Sequence, residues 1–356
     1  MVFWHLIRSS WTELGTFGLV ATCVRFARIV RRGIPHAESR HLLGSPSAQA
    51  QQKCTGTDDP FFAVSHHYYL CQTLSPKLRL KAAWDHYNFV DLHIDAALLN
   101  QIAAPGLALW SASTQDHQLE IRLMLGNDNM YEGGLSAVFL VDDQRVGVMS
   151  FSIVDGADFG VRPGPILLLC RNQTTSDRWY QKALQDNFKQ IALSYMMLAA
   201  VAGVGQALGK EEILAICEDV HPAFEDTSVN QMKASYSEFW AKYGATPLHS
   251  GIVRIGLPLA TTPLDQVQSN HRRRAKTRRA VMNDIASASQ KAFGTSFKFS
   301  ATANAPGESG IGSAICLAAC GAQLFETYAN VFESAPGQAH QALYRSIEFC
   351  CYAASI

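Results

Sequence analysis

Apolar and polar side chains alternate over the first ordered stretch of the chain, between residues 106 and 154. Residues 118–125 alternate in part, and two apolar runs follow at 135–141 and 145–154, separated by the turn-forming sequence Asp-Asp-Gln. A period of two is typical of strands with one buried face, and a short polar turn between two such runs is typical of an antiparallel pair. The pattern therefore predicts an antiparallel meander of strands.

The pattern changes at residues 165–170, which form a continuous apolar run typical of a strand buried on both faces. A polar turn over residues 171–177 and a long helical region up to Leu208 follow, and Gly209 is a residue type that ends such a helix. Three further elements are predicted. They are a buried strand over residues 212–217, an amphipathic helix over residues 230–243 and a last strand over residues 251–259. This order predicts an α+β fold with a mixed, mainly antiparallel sheet and at least one crossover helix.

Four segments are predicted along the chain. Residues 1–32 combine aromatic and apolar residues with arginines, which predicts an amphipathic helical segment that lies in a membrane interface or packs on the body of the protein. Its apolar run is too short to span a bilayer, and its positive charge follows that run, so it does not resemble a signal peptide. Residues 33–58 show no regular spacing of apolar residues, which predicts a linker. The following residues, 59–288, show regular spacing and are predicted to form a domain. Residues 289–356 are poor in charge and predict a C-terminal appendage.

Composition and charge narrow the function classes. Apolar residues make up 48% of the 356 residues and charged residues 17%, which excludes a disordered chain because such a composition can bury a core. Lys plus Arg and Asp plus Glu number 30 each, so the net charge is zero and a general DNA-binding protein is disfavoured. Nine cysteines show neither a CxxC spacing nor a disulfide pattern. The sequence therefore predicts no metal site and favours a reducing, cytoplasmic location.

Several common catalytic signatures are absent from the sequence. It contains no G-x-S-x-G, H-E-x-x-H or G-x-x-x-x-G-K-[ST] motif, so serine hydrolases, zincins and P-loop proteins lack their main support. Gly203, Gly205 and Gly209 resemble a dinucleotide-binding fingerprint, but the spacing is one residue too long and the motif lies inside a helical pattern. We expect these small residues to serve close packing instead.

A basic run lies near the end of the predicted domain. Six cations fall within residues 271–279: Arg272, Arg273, Arg274, Lys276, Arg278 and Arg279. They form either a solvated helix face or an anion-binding surface for lipid head groups, an anionic ligand or RNA. The neutral net charge makes RNA the weakest of these interpretations.

Several boxes of sequence resemble the bacterial VirK/YbjX family, and they occur in the family's order. They are Tyr69-Leu70, residues 74–79, His86-Tyr87, residues 132–135, residues 149–152, residues 213–221, residues 232–240 and residues 272–279. The resemblance covers roughly residues 60–288. It implies a virulence or envelope-stress role, since family members are implicated in resistance to cationic antimicrobial peptides in Gram-negative bacteria. It implies no particular reaction.

The predicted order of elements is also similar to that of the acetyltransferase superfamily, which uses acyl-CoA. This resemblance implies that the turn after the central strand binds pyrophosphate at the start of a helix. The residues implied for the pyrophosphate are Arg171, Asn172, Ser176 and Arg178. The resemblance also implies that Tyr236 protonates the departing thiolate and that Glu132 or His221 is the base. Three features depart from the expected patterns. A Gly-rich pyrophosphate signature is absent, Arg171-Asn172 replaces the Gln-Gly turn of the VirK/YbjX family, and that family's Arg-Pro-Lys is not evident around residues 189–193.

Two alternatives to an acyltransferase stay open. The first is a non-enzymatic protein at the periphery of the bacterial inner membrane, which binds anionic lipid or a partner through the basic run and the arginines of residues 25–32. The second is an RNA-binding regulator that uses the same basic run. For an acyltransferase, the sequence does not identify the acceptor, which is a small molecule or a peptide.

Overall fold

An eight-stranded sheet forms the centre of the part of the chain that the structure describes. The computed structural model describes residues 42, 44–55, 69–126, 132–175, 180, 188, 191–222 and 229–297, which all belong to one compact unit. The strands are β1 (Leu107–Ser113), β2 (Gln118–Leu125), β3 (Leu135–Val141), β4 (Gln144–Asp155), β5 (Pro165–Thr174), β6 (Glu212–Ile216), β7 (Thr246–His249) and β8 (Ile252–Gly256). They lie in the order β1-β2-β3-β4-β5-β6-β8-β7, and all neighbours are antiparallel except the parallel pair β5 and β6. The predicted α+β class with a mainly antiparallel sheet is confirmed.

Helices connect the strands and cover the sheet. They are α1 (Pro46–Thr55), α2 (Pro76–His93), α3 (Ala96–Ala103), α4 (Leu193–Ala207), α5 (Val229–Ser235), α6 (Ser237–Ala241) and α7 (Arg272–Ser296). The predicted crossover is α4, which joins the parallel strands β5 and β6 and packs against α7. A hydrogen bond of 2.8 Å from the Trp110 indole N–H to Asp284 ties α7 to the edge strand β1. None of the helices in the described part of the chain is long and apolar enough to cross a bilayer.

The meander of β2, β3 and β4 follows from its side-chain pattern and from one tight turn. Buried and more exposed residues alternate along β2, whereas β3 is buried throughout. Asp142 and Asp143 connect β3 to β4, and both have positive φ angles of 50° and 61°. Two central residues with positive φ are typical of the hairpin turns that match strand twist, and Asp tolerates this conformation. The predicted turn at this position is confirmed.

Small residues of α4 allow close contact with its neighbours. A Cβ atom at Gly203 would collide with the carbonyl oxygen of Ala286 in α7. A Cβ atom at Gly205 would lie 3.0 Å from Ile213 of β6. Gly209 follows the helix with a φ of 68°, as a glycine after a helix end commonly does. These glycines serve packing and helix termination, as the sequence predicts.

His86 and Tyr87 of α2 are structural residues. The His86 Nδ1 accepts a hydrogen bond of 3.2 Å from the backbone N–H of Ile153 in β4. Burial lowers the pKa of His86 to about 3, so its imidazole is neutral and can accept this bond. The Tyr87 hydroxyl donates to Gln51 of α1 at 2.8 Å. The His-Tyr pair therefore fixes α2 to the sheet and to α1.

Helical structure also lies where the sequence predicts a linker. Within residues 33–58, Pro46–Thr55 forms α1. Ala48 and Gln51 are fully buried, and the backbone N–H of Ser47 donates to Asp91 of α2 at 3.0 Å. Tertiary contacts therefore stabilise a helix that the polar local sequence does not indicate.

The last described helix passes through the predicted domain boundary at residue 288. It continues to Ser296 because Ile285, Ser289 and Phe293 are buried at four-residue spacing along one stripe. The predicted segment 1–32 and the rest of the predicted appendage, from residue 298 onward, lie outside the described residues.

Candidate functional site

The parallel strands β5 and β6 separate at their carboxyl ends. They pair only through Leu168 with Leu214 and Leu169 with Ala215. Beyond Leu169, β5 continues along β4 to Thr174, and its register with β4 shifts at Cys170. This shift is a β-bulge, which bends a strand and redirects its side chains. The carboxyl ends of parallel strands are where open sheets commonly bind ligands, so the gap between β5 and β6 is the candidate site.

Glu132 is buried beside this gap, directly before β3. Its carboxylate lies 3.1 Å from Nη1 of Arg171 in β5 and 3.6 Å from Nε2 of His221. Only 5% of Glu132 is exposed, so its charge is balanced inside the protein by the arginine. The following Gly133 has a φ of 128°, and a Cβ atom there would lie 2.8 Å from the backbone of Phe151. This close approach explains the Glu-Gly sequence at the start of β3.

Tyr236 completes the cluster from the other side of the gap. Its phenol oxygen accepts a hydrogen bond of 3.3 Å from the backbone N–H of Asn172, and its ring centroid lies 4.8 Å from that of His221. The sequence predicts one helix over residues 230–243, but the backbone leaves helical geometry at Tyr236, with φ of −119° and ψ of −96°. This break separates α5 from α6. The structure thus brings together all three residues that the acyltransferase interpretation proposes as catalytic, Glu132, His221 and Tyr236.

Two buried side chains of the cluster, His221 and Tyr236, have pKa values that favour their neutral forms at pH 7. Burial, together with the nearby Arg171 charge, lowers the pKa of His221 to about 4, so its imidazole is neutral at pH 7. This imidazole also hydrogen-bonds to the backbone of the bulged Cys170. Burial raises the pKa of Tyr236 far above its usual range, so its phenol keeps its proton. The site therefore pairs a neutral proton acceptor with a neutral proton donor, next to an internally balanced ion pair.

Several residues that sequence reasoning missed hold this arrangement. Glu218 accepts from the hydroxyl and the backbone N–H of Ser237, at 2.9 Å and 3.2 Å, and so caps α6 directly after Tyr236. The Gln72 side chain donates to the carbonyl oxygen of His221 at 2.9 Å. The Trp240 indole N–H donates to the carbonyl oxygen of Ile216 at 2.9 Å. The only sequence signal for these roles is that Glu218 and Trp240 fall within the family-like boxes.

The first four residues of the predicted pyrophosphate-binding turn, 171–174, form a strand instead of a turn. Arg171 and Asn172 belong to β5, which continues four residues beyond the apolar run. Arg171 pairs with Glu132 and hydrogen-bonds to Gln173, and the Asn172 side chain donates to the carbonyl oxygen of Ser235 at 2.7 Å. These contacts turn both side chains toward the protein itself. The other two predicted residues, Ser176 and Arg178, lie outside the described residues.

The cysteine side chains near the site have raised pKa values, which makes them poor nucleophiles. Burial raises the pKa of Cys71 and Cys170 above the usual range, and it raises the pKa of Cys217 to about 11. The thiolate is the reactive form of cysteine, so these residues act as small apolar side chains.

The basic run occupies the first two turns of α7. Arg272 donates to the carbonyl oxygens of Val267 and Asp265, at 2.9 Å and 3.1 Å, and Arg279 donates to that of Thr262. The Arg278 guanidinium lies 5.5 Å from the ring centroid of Tyr195 in α4. The other three cations, Arg273, Arg274 and Lys276, are exposed. None of these contacts joins the basic run to the gap between β5 and β6.

Comparison with known proteins identifies one family. Residues 33–169 and 171–291 match the family model described as "Protein of unknown function (DUF535)". No curated protein and no solved structure matches the chain.

Proposed function

We propose that this chain, which belongs to the DUF535 family that includes the VirK/YbjX proteins, transfers an acyl group from a thioester such as acyl-CoA. The observation that carries the proposal is the Asn172 N–H, which faces the gap where β5 leaves β6 and donates to the Tyr236 phenol. A buried backbone N–H in a fixed position is a suitable donor to the carbonyl oxygen of a thioester. The strand order, with one parallel pair next to an antiparallel meander, supports the same interpretation.

His221 is the proton acceptor in the proposed reaction. The acceptor nucleophile attacks the thioester carbonyl, and its proton passes to the neutral imidazole. Glu132, 3.6 Å from Nε2, then stabilises the imidazolium that forms. The lowered pKa keeps His221 unprotonated at neutral pH, so its imidazole can take up a proton.

Tyr236 is the proton donor in the proposed reaction. As the carbon–sulfur bond breaks, the departing thiolate takes the proton of the phenol. The thioester carbonyl replaces the phenol oxygen at the Asn172 N–H, which leaves the Tyr236 hydroxyl free to turn toward the sulfur. The protonated His221 then returns a proton to the tyrosinate, so the site ends in its starting state.

The test of this function is thiol release from acetyl-CoA and from a long-chain acyl-CoA by the full-length protein, with water or added amines as acceptor. We expect Tyr236→Phe to reduce the rate about 100-fold, because the leaving thiolate loses its proton donor. Tyr87→Phe is the matched control, since it removes a buried tyrosine hydroxyl at the contact between α2 and α1. Equal rates in the wild type and Tyr236→Phe would contradict the assigned role, and absence of any thiol release would contradict acyl transfer.

The biological role that we propose is virulence or envelope stress, with a small molecule or peptide as acyl acceptor. It rests on the resemblance to the VirK/YbjX family, whose members are implicated in resistance to cationic peptides. A peripheral location on the inner membrane would bring such an enzyme close to envelope substrates.

A second candidate function is non-enzymatic binding to anionic lipid. It is favoured by the exposed cations Arg273, Arg274 and Lys276 at the start of α7. Co-sedimentation with anionic vesicles at low salt, weakened by added salt, is the expected result, and failure to sediment would contradict it. RNA binding through the same run is the third candidate, and unchanged RNA retention after the run is replaced by alanine would exclude it.

A further inference from the structure

The charge at the start of α7 is unfavourable for an isolated protein. Six cations occupy its first two turns, and its first turn contains no acidic residue. Among the described residues, none of the six forms an ion pair with a carboxylate; Arg272 and Arg279 instead donate to backbone carbonyl oxygens of the preceding loop. A helix N-terminus carries partial positive charge, so cations there repel both one another and the helix dipole. A bound anion would offset this repulsion.

The N-termini of α4 and α7 lie at the same end of the helix pair. Along the interface Arg278 meets Tyr195, Ala286 meets Gly203, and Gly294 meets Ala207. Residue numbers rise together on the two helices, so the helices run in the same direction. In the part of the chain that the structure describes, the N-cap residues Ala192 and His271 make no side-chain capping hydrogen bond. The backbone N–H groups of Tyr195 and Arg272 donate to the carbonyl oxygens of Ala192 and Ser269, so the first turns are partly satisfied within the chain. The two helix dipoles still add positive potential at one end.

One stripe of α7 carries arginines toward the start of α4. Arg278 is in the same stripe as Ser289, three turns later, whose Cβ atom would lie 2.9 Å from a Cβ added at Gly203 of α4. Arg274 precedes Arg278 by four residues and occupies the same stripe one turn earlier. Because Arg278 already lies beside the first turn of α4, Arg274 is placed beyond the end of that helix. Lys276, by contrast, is about 200° away from Arg278 around the helix.

A buried hydroxyl without a partner lies at the same place. Tyr243 is 6% exposed, and its hydroxyl has no hydrogen-bond partner in the described part of the chain. Its ring centroid lies 5.8 Å from that of Tyr195, and its hydroxyl is close enough to Arg278 for the two groups to interact electrostatically. Buried hydroxyls are normally satisfied, so this group indicates a missing acceptor.

We propose that the joined N-terminal ends of α4 and α7 bind a phosphate group through Arg274, Arg278 and the Tyr243 hydroxyl. Guanidinium groups match phosphate with paired N–H donors, and the dipoles of the two helices add positive potential for an anion. The ligand class is a phosphate ester or diphosphate, carried by a small molecule or by a lipid head group. This site does not depend on acyl transfer at the gap between β5 and β6.

The first arm of the test is titration calorimetry of the full-length protein with inorganic pyrophosphate. We expect saturable binding of pyrophosphate. Its affinity should fall about tenfold or more in Arg278→Gln, and it should also fall measurably in Tyr243→Phe. Tyr243→Phe removes an unpartnered hydroxyl, so it should leave the unfolding midpoint in urea unchanged or higher. Lys276→Gln is the matched control, because it removes one charge from the opposite face of α7 and should leave the affinity within about twofold.

The second arm distinguishes the sources of phosphate. Vesicles of phosphatidylglycerol and of phosphatidylcholine are sedimented with the same variants, with and without pyrophosphate. The site binds a lipid head group if the protein sediments with phosphatidylglycerol vesicles and if both Arg278→Gln and added pyrophosphate abolish this sedimentation. Pyrophosphate binding without sedimentation identifies a free phosphate ligand.

Three results would overturn the proposal. The first is that neither pyrophosphate nor phosphatidylglycerol binds. The second is that Lys276→Gln weakens binding as much as Arg278→Gln, which would indicate a diffuse charge effect. The third is that a single-stranded RNA binds more tightly than pyrophosphate and depends equally on all six cations, which would indicate a polymer-binding surface.

Discussion

At the scale of single residues, the chemistry of the site depends on the ion pair between the buried Glu132 and the partly exposed Arg171. Their contact is 3.1 Å, and with 7% of its side chain exposed the carboxylate loses most of its hydration. A buried pair of this kind is weak support for overall stability, but loss of one partner is costly because the other charge stays buried. The pair therefore fixes the position of the carboxylate beside His221.

This coupling leads to a prediction about stability. We expect Arg171→Met to reduce the free energy of unfolding by about 3 kcal/mol, because it removes the cation from a buried carboxylate. Glu132→Gln should have an effect of similar sign, and the double variant should lose less than the sum of the two. Urea denaturation of the four proteins measures this cycle. Strictly additive losses would show that the two side chains do not interact.

The neutral state of His221 leads to a prediction about pH. Its folded pKa of about 4 lies below the ordinary value of 6.5, so between these values the unfolded chain binds a proton that the folded chain does not. The stability from His221 is complete above pH 6.5 and is lost as the pH falls toward 4. The slope of the unfolding free energy against pH gives the number of protons taken up on unfolding. In His221→Gln, this number should be lower by about one in this pH range. An unchanged slope would mean that His221 is protonated in the folded protein.

The sequence identified Glu132, His221 and Tyr236 as candidates, but it placed Arg171 and Asn172 wrongly. The apolar run ends at Cys170, so its pattern suggests that the strand ends there too. Beyond the bulge, β5 pairs on one side only and carries polar side chains that contact the site. The spacing of apolar residues therefore does not predict this last part of β5, because its side chains are polar and contact other polar groups of the protein.

At the scale of elements, the contact between α4 and α7 positions the start of both helices. Gly203 allows the backbone of α7 to approach closely, whereas Gly294 of α7 has only Ala207 near it, at 3.9 Å from an added Cβ atom. The sequence indicated that α4 is rich in small residues for packing. It did not indicate the partner helix, because α7 is separated from α4 by more than sixty residues and three strands.

These two glycines form a matched pair for a stability prediction. We expect Gly203→Ala to reduce the free energy of unfolding by about 1–3 kcal/mol, since the added methyl group forces the helices apart. Gly294→Ala, in the same interface, should raise it by up to about 1 kcal/mol, because alanine favours the helix and has room there. Urea denaturation measures both. A stabilising Gly203→Ala would contradict the observed close packing.

At the scale of the whole molecule, the fold class was predictable and the site geometry was not. The spacing of apolar residues and the order of the predicted elements were sufficient to predict a meander followed by a crossover helix. Both features depend on the local sequence. The gap between β5 and β6 depends on a single bulge and on a helix break at Tyr236, neither of which has a local signal. Residues between positions 132 and 236 meet there only because the sheet brings β3, β5 and β6 together.

The proposed acyl transfer requires that a thioester binds in the gap between β5 and β6. Amide hydrogen exchange of the full-length protein, with and without saturating acyl-CoA, tests it most directly. We predict slower exchange on binding for the end of β5, including the Asn172 N–H, and for α5 and α6, with no change in α2. Unchanged exchange at the end of β5, or protection confined to other elements, would contradict the account.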